Sequence, residues 1–409
     1  MTRRNRAAMV PERAVAGRNL SGTNLERAGD HNQRVTLHAI RVSGSVTRTD
    51  LGLMTGLTAA AIANITNRLL RQRLILKAGT IRGGRGQPAV KSSINPDSCY
   101  SLGLNVDRDH ITMVLVDFAG KVRARLSREV AFALPDAVQT FVRRTASQLL
   151  DRARVSPARL VGLGVAFPDD IQRSALPNQP PEYAAWGSVS LERLLSSLLP
   201  VPIFVENDAA AAAIGEMHFG LGQRYQSFFY ILVTAGLGGG LVVDGHYVRG
   251  ATGRSGELGL LPAPFAGDGP RTLQSVVSIS TLNERLAARG LRVSSPRRLT
   301  QIEAADQPIV DRWIDESVEA LEPTLVSVDC LINPEAILIG GRLPAPLVER
   351  LAECLNKRLR TYQPIIPSVA PIARAALSED APAVGAAILP FTNRLLPTRL
   401  ALMKNPNER

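Results

Sequence analysis

A chain of 409 residues with 45% hydrophobic and 21% charged residues has ordinary globular composition and length for two or three domains. No apolar run reaches the roughly 18 residues needed to cross a bilayer, and the Arg-rich start MTRRNRAAMVPERAVAGRN lacks the apolar segment of a secretory signal, so no membrane partner is expected. The net charge of +12 is lopsided: residues 1–100 carry 16 Lys/Arg against 5 Asp/Glu, and the rest of the chain balances to within one charge, which excludes a uniformly basic solubility effect.

A basic head on a neutral body is the electrostatic footprint of polyanion binding. Residues 1–22 read as a disordered basic tail, and the segment 23–93 as three helices and a ribbon. The first helix, NLERAGDHNQRVTLHAIRVSG, has an apolar stripe around Val35, Leu37 and Ile40 and stops at Gly44. The second, TRTDLGLMTG, starts with Thr47 and Asp50 at capping-box spacing and ends at Gly56. In the third, LTAAAIANITNRLLRQRL, the helical period puts Thr58, Ile62, Ile65 and Leu69 inward. Ala60, Ala61, Asn64, Asn67, Arg68 and Arg71 then face outward.

That outward face suits a DNA major groove. Small residues admit the helix, alanine methyls touch thymine methyls, Asn bonds adenine with two prongs, and Arg reaches phosphates. Short helix, glycine turn and longer helix make a helix-turn-helix. The following LILKAGTIRGGRGQPAVKSSI reads as a two-stranded wing, with Arg82 and Arg85 at its glycine-rich tip placed for a minor groove. Double-stranded DNA is the expected partner.

After a linker, SSINPDSCY, the pattern becomes strands alternating with helices. SLGLNVDRDHITMVLVDFAGKVRARLSREV reads as three strands, 135–153 as a helix, and LVGLGVAFP as a buried strand. The layout repeats in SFFYILVTAGLGGGLVVDGHYVRG and AILIGGRLP. Two βββαβα-type halves imply an α/β protein with a cleft between lobes. Cys99, Cys330 and Cys354 have neither disulfide nor metal spacing and are expected as small buried hydrophobes in a reducing compartment.

Several motifs stand in a specific order: ENDAAAAAIGE, TAGLGGG, GATGRSGELGL, INPEAILIGG and PAVGAAIL. Together they resemble the ROK family, which groups sugar kinases with sugar-responsive repressors on an actin-like, ribonuclease H-like ATPase fold. With the N-terminal reader, the resemblance is to the repressor branch. It implies a first lobe over 94–205, completed by 380–400, and a second over 206–379, with ligand between them. It also implies a homodimer or homotetramer, and a two-fold dimer implies a palindromic operator.

The kinases carry a D-x-G-x-T turn whose Asp positions magnesium. The matching residues here are Asn105, Val106, Asp107, Arg108 and Asp109, so an amide replaces the magnesium carboxylate and two carboxylates stand where phosphate would rest. Like charges at about 4 Å cost on the order of 4 kcal/mol at an effective dielectric of 20. Phosphoryl transfer rests on positioning and charge compensation, so a non-enzyme without nucleotide cofactor is expected. Ala235 also replaces a Thr common in the kinase loop. The family's zinc is held by a His after G-E-x-G and a cysteine loop; here Leu260 takes the His position and PAPFAGDGPRTLQS has no Cys or His, so no metal is expected.

Asn207, Asp208 and Glu257 match the family's sugar ligands, and Gln274 stands where it has Glu. Asp208 takes the kinase-base position; that Asn207 and Asp208 merely cap the following helix is the lesser alternative, and the two roles are compatible. The basic head and the resemblance together imply a cytoplasmic, nucleoid-associated transcriptional regulator, a repressor of carbohydrate uptake or catabolism genes with a sugar or sugar-derivative effector. An active ROK sugar kinase carrying a DNA-binding domain is the alternative, and a ligand-independent architectural DNA binder is the second.

Overall fold

The computed structural model describes residues 25–81, 89–169, 180–264 and 271–397. The expected tail 1–22 and the ribbon tip with Arg82 and Arg85 lie outside these residues.

The basic head contains α1 (Leu25–Ser43), β1 (Val46–Thr47), α2 (Arg48–Thr55), α3 (Ala59–Arg71), β2 (Ile75–Ile81) and β3 (Ala89–Ile94). Local sequence sets these boundaries. Gly44 follows α1 at φ +70°. Thr47 Oγ1 accepts from the Asp50 N–H at 3.2 Å, and Asp50 Oδ2 accepts from the Thr47 N–H at 3.1 Å, closing the capping box of α2. Gly56, also at φ +70°, ends α2 in the left-handed region that its missing Cβ permits. The strands form an antiparallel sheet in the order β1-β3-β2.

Two sequence expectations need correction here. The buried face of α3 is Ile62, Thr66 and Leu69, spaced four and three residues apart. Ile65 is half-buried, and Thr58 is the exposed N-cap, whose Oγ1 accepts from the Ala61 N–H at 3.3 Å. Thr66 tolerates burial because its hydroxyl donates to the Ile62 carbonyl at 2.8 Å. Residues 92–94, given both to the ribbon and to the linker, belong to β3, so the linker starts later; Ser92 pairs with Val46 and Lys77.

The neutral body begins with β4 (Tyr100–Val106), β5 (His110–Asp117), β6 (Val122–Glu129), α4 (Pro135–Ala153), β7 (Leu160–Ala166), α5 (Leu191–Ser196) and β8 (Ile203–Glu206). It continues through α6 (Asp208–Phe219), β9 (Phe228–Val233), β10 (Leu237–Val243), β11 (His246–Tyr247), α7 (Gln274–Val277), α8 (Ile279–Ala287) and α9 (Gln307–Leu331). Last come β12 (Ala336–Gly341), α10 (Ala345–Leu359), β13 (Ile372–Arg374) and α11 (Ala381–Arg394).

The two body sheets have the same topology, β6-β5-β4-β7-β8 and β11-β10-β9-β12-β13. In each, the first three strands run antiparallel and the last two join parallel to the first. β4, β5, β9 and β12 are buried along their whole length, which is why they read as continuous apolar runs. One core gathers Leu102, Leu115, Val142 and Leu163; the other gathers Ile231, Val277, Trp313 and Ile337.

α11 returns from the end of the chain to lie against the first sheet and α6. Close approach demands glycine: a Cβ on Gly164 would overlap the Ala386 carbonyl, and one on Gly385 the Ala211 carbonyl. Of the cysteines, Cys99 is buried, but Cys354 is half-buried and Cys330 exposed, against the expectation for all three. Among the described residues, no helix is long and apolar enough to cross a membrane.

Candidate functional site

β8 leads directly into the carboxamide-carboxylate pair. Asn207 is the N-cap of α6, and its Oδ1 accepts from the Ala209 N–H at 2.9 Å and the Ala210 N–H at 3.0 Å. Asp208 is the first helical residue, and its Oδ1 accepts from the Ala209 N–H at 2.8 Å. The alanine run behind them has a packing reason. A Cβ on Gly238 would fall 2.7 Å from the Ala209 Cβ, and one on Gly240 2.6 Å from that of Ala213, so α6 and β10 fit through small side chains on both faces.

Asn207, Asp208, Glu257 and Gln274 line one cavity of about 430 Å³, within the usual range for small-molecule pockets. Leu260, at the position the resemblance gives to histidine, lines it too. Part of the stretch that stands where the family has its zinc loop, 265–270, lies outside the described residues.

Three residues that were not among the expected ligands share the cavity: Arg108, Asp169 and Arg254. Arg108 comes from the β4–β5 turn and is buried. A Cβ on Gly236 would lie 2.6 Å from Arg108 Nη1 and 2.8 Å from Gln274 Oε1, so bare backbone at Gly236 admits both groups. Gln274 Oε1 accepts from the Leu237 N–H at 3.3 Å. At the rim, Arg254 Nη2 lies 2.8 Å from Glu257 Oε1, and Arg254 Nε lies 3.8 Å from Asp169 Oδ2. Burial, reinforced by Asp107 and opposed by Arg108, pushes the Asp208 carboxyl up to about 7.

The carboxylates expected to repel phosphate are compensated, which corrects the like-charge argument. His110 Nδ1 lies 2.9 Å from Asp109 Oδ1, and Arg342 Nη1 lies 3.0 Å from the same oxygen. Burial alone would raise the Asp109 pKa, but the His110 hydrogen bond and Arg342 outweigh it and hold the carboxyl below its usual range. Asn105 Nδ2 lies 3.0 Å from His110 Nε2; with the amide as donor, Nδ1 carries the ring proton toward Asp109. Asp107 Oδ1 accepts from the Arg108 N–H at 2.7 Å, and Arg108 Nη1 is 3.8 Å away.

Arg342, just after β12, also pairs with Glu129 on β6, so one guanidinium ties the two sheets across the cleft. Arg125 on β6 holds the turn before α11 through Asp380 at 2.6 Å and Glu379 at 3.1 Å, and Glu379 pairs in turn with Arg297. A glycine pair announces the β12 turn in the sequence, but nothing local says that the next residue crosses the cleft.

On the head, Ala60, Asn64, Asn67, Arg68 and Arg71 are exposed along α3, with Ala61 half-buried. The helical period therefore groups the expected reading residues on one accessible face. Asn67 is not independent there: its Oδ1 accepts from Arg48 Nη2 at 2.6 Å. Arg48 was missed because it lies on α2, nineteen residues away.

Comparison with known proteins gives a consistent set. Residues 101–392 match the model described as the ROK family. The xylose repressor of Bacillus spizizenii is 27% identical over 236 residues, covering 58% of this chain and 61% of the repressor, so the match spans under two thirds of that relative. The glucokinase of Thermotoga maritima is 26% identical over 313 residues, 70% of this chain and 95% of the kinase. Among solved structures, a ROK family transcriptional regulator, homologue of the E. coli MLC protein, superimposes with a TM-score of 0.65 at 22% identity, over 92% of this chain and 99% of that one. That likeness is one of fold.

Proposed function

The chain belongs to the ROK family, and on that premise we propose that it is a DNA-binding transcriptional repressor whose body receives a sugar or sugar derivative and has lost kinase chemistry. The head, residues 23–93, acts as a winged helix-turn-helix with α3 in the major groove. The body acts as two lobes, 94–205 completed by 380–400 and 206–379. The xylose repressor and regulator relatives support this reading, as do the basic charge of the head and the polar outward face of α3.

The observation that carries it is the contrast between the two halves of the cleft. The half with Asn207, Asp208, Glu257 and Gln274 keeps an open cavity; the half a nucleotide would use keeps a smaller one of about 330 Å³ beside Gly340 and Gly341, but it is crossed by Arg342 pairing with Asp109 and Glu129. A triphosphate would have to break those pairs and expose Asp109 and Glu129 to its own negative charge. A receptor needs only the open half.

Effector binding would act by shifting an equilibrium between body conformations that space two heads differently on a palindromic operator, in a homodimer or homotetramer. The shift can be no larger than the effector's difference in affinity for the two states. Fluorescence anisotropy with DNA from upstream of the chain's own gene tests this: a monosaccharide from a panel should change DNA affinity, by roughly 5- to 150-fold for ordinary coupling. Indifference to every sugar, with no thermal stabilisation, would leave only an architectural DNA binder, because ligand at 100 times its Kd stabilises by about 2.7 kcal/mol.

A second reading, an active sugar kinase, is favoured by one observation. Asp208 sits in the cavity with its carboxyl near 7, a value suited to taking a proton from a hydroxyl. ATP consumption with a hexose, abolished by Asp208→Asn, would establish it in place of the receptor.

A further inference from the structure

α1 packs into the core of the head through Leu37 and Ile40, and its N-terminal half also flanks the outward face of α3. Gly29 and Asn32 of α1, Asn64, Arg68 and Arg71 of α3, and Lys77 of β2 line one open groove of about 1010 Å³. Three cations therefore face it. Among the described residues no Asp or Glu lines this groove, and none of the three cations has a carboxylate partner. Asp30, beside Gly29, is held by Arg34 of its own helix at 2.8 Å. Like charges gathered around a concave surface raise its potential and draw an anion into it. The α1 wall is fixed, because Arg34 Nη1 also donates to the Asn393 carbonyl at 2.9 Å.

Gly29 supplies a second, independent observation. It lies inside a helix of 19 residues, where glycine is the poorest former after proline. Among the described residues nothing requires it there. Its φ is outside the left-handed region, and a Cβ built on it meets no atom within 4 Å, unlike Gly164 and Gly385, whose Cβ would overlap a carbonyl. Bare helix on the wall of a groove lets an outside backbone approach closely.

We propose that α1 is a second DNA-contacting element: the sugar-phosphate strand bordering the major groove lies between α1 and α3 and passes over Gly29, with Asn32, Arg68, Arg71 and Lys77 turned to its phosphates. The inference rests on the reading of α3 as the major-groove helix. The groups facing the groove are spread over two helices and a strand, which suits a polymer rather than a single small ion. Amides and cations are the usual phosphate ligands, and phosphates are the same in every sequence, so this contact adds affinity without base preference.

Anisotropy titrations of the full-length protein with DNA from upstream of its own gene and with a random duplex test the inference. Gly29→Leu adds bulk without charge where the fold leaves space, and leucine is the better helix former. The variant should melt at or above wild type yet bind both duplexes at least tenfold more weakly. Lys77→Gln should weaken both duplexes alike and reduce the salt slope by about 1 for each bound protomer, and it reports even if Gly29→Leu fails to fold. Wild-type affinity in Gly29→Leu, or an unchanged slope in Lys77→Gln, would overturn the α1 contact and leave α3 as the reader, which Asn64→Ala tests separately. A loss confined to the upstream DNA would also overturn it, because phosphates carry no sequence. Wild-type protein that binds neither duplex would overturn both readings.

Discussion

Arg41 Nη2 lies 2.7 Å from His218 Nδ1, joining the first helix of the head to the last turn of α6, whose opposite end carries Asn207 and Asp208. A guanidinium only donates, so Nδ1 accepts and the ring proton sits on Nε2. Burial, with Arg41 and His38 adding to it, holds His218 well below its ordinary pKa and keeps it neutral. The same arginine lies over the Phe219 ring, 5.1 Å from its centroid. Twelve helical residues at about 1.5 Å each make α6 a rod of roughly 18 Å between the cavity and the head. Its small-residue packing against β10 and α11 leaves little room to bend.

His218→Ala is therefore expected to keep DNA binding but to lose most of the effector's influence on it. Anisotropy titrations with and without effector measure both quantities, and melting curves check that the variant is folded. A full effector response in His218→Ala would mean that coupling runs elsewhere.

Much of the site was legible in sequence, and the reason differs by residue. Asn207, Asp208 and Glu257 sit in motifs, and with Gln274 they meet in one cavity. The outward residues of α3 follow from a 3.6-residue period, and the capping box of α2 from its spacing. Arg108 was legible as part of the β4–β5 turn but not as a residue of this cavity, and Arg342 not as a cleft residue at all, because where their side chains point depends on turns that bring β4–β5 and β12 face to face. The glycines of TAGLGGG illustrate a further limit. They read as a phosphate loop, yet Gly238 and Gly240 are required by Ala209 and Ala213 of α6, so the motif can outlast the phosphate chemistry. The head-to-body contact through Arg41 and His218 spans 177 residues and leaves no local pattern.

The raised Asp208 pKa predicts a pH-dependent stability with a definite sign. The groups acting on it are Asp107 and Arg108 from the β4–β5 turn, Asp169 beyond β7, and the Ala209 N–H of its own helix. Between about 4 and 7 the folded protein holds a proton on Asp208 that the unfolded chain releases, so stability from this group falls as pH rises across that window. Asp208→Asn, which mimics the protonated form, should melt close to wild type at pH 4 and several degrees above it at pH 8. Equal melting temperatures at pH 8 would contradict the desolvated carboxylate.

Arg342 supports the opposite dependence. Asp109 has a depressed pKa in the fold, so its pairing stabilises above the ordinary carboxylate range and is lost as pH falls through the folded value. Arg342→Gln should destabilise by about 1–3 kcal/mol at pH 7, less than the cost for a fully buried pair because the Asp109 side chain is 31% exposed. The loss should shrink in acid. A double-mutant cycle with Asp109→Asn isolates the pair, and a coupling energy near zero would remove the cross-cleft tie.

The head makes the last prediction, and it turns on Asn64 and Arg71 sharing one exposed face of α3 at different heights. An Asn near the N-terminal half reads base edges, so Asn64→Ala should cost about 1–3 kcal/mol on the operator and little on random DNA. Arg71 lies in the last turn, and if it contacts phosphate as proposed, Arg71→Ala should weaken both DNAs alike and flatten the salt dependence. If a dimer neutralises roughly eight phosphates, log affinity should fall with log salt at a slope of about −7. Asn67 should behave differently again: because Arg48 holds its carbonyl, Asn67→Ala frees a guanidinium on α2 as well as removing an amide, and its effect should depend on whether Arg48 is present. Anisotropy on operator and random duplexes at several salt concentrations separates these outcomes. Identical losses for Asn64→Ala and Arg71→Ala on both duplexes would mean that α3 does not read bases.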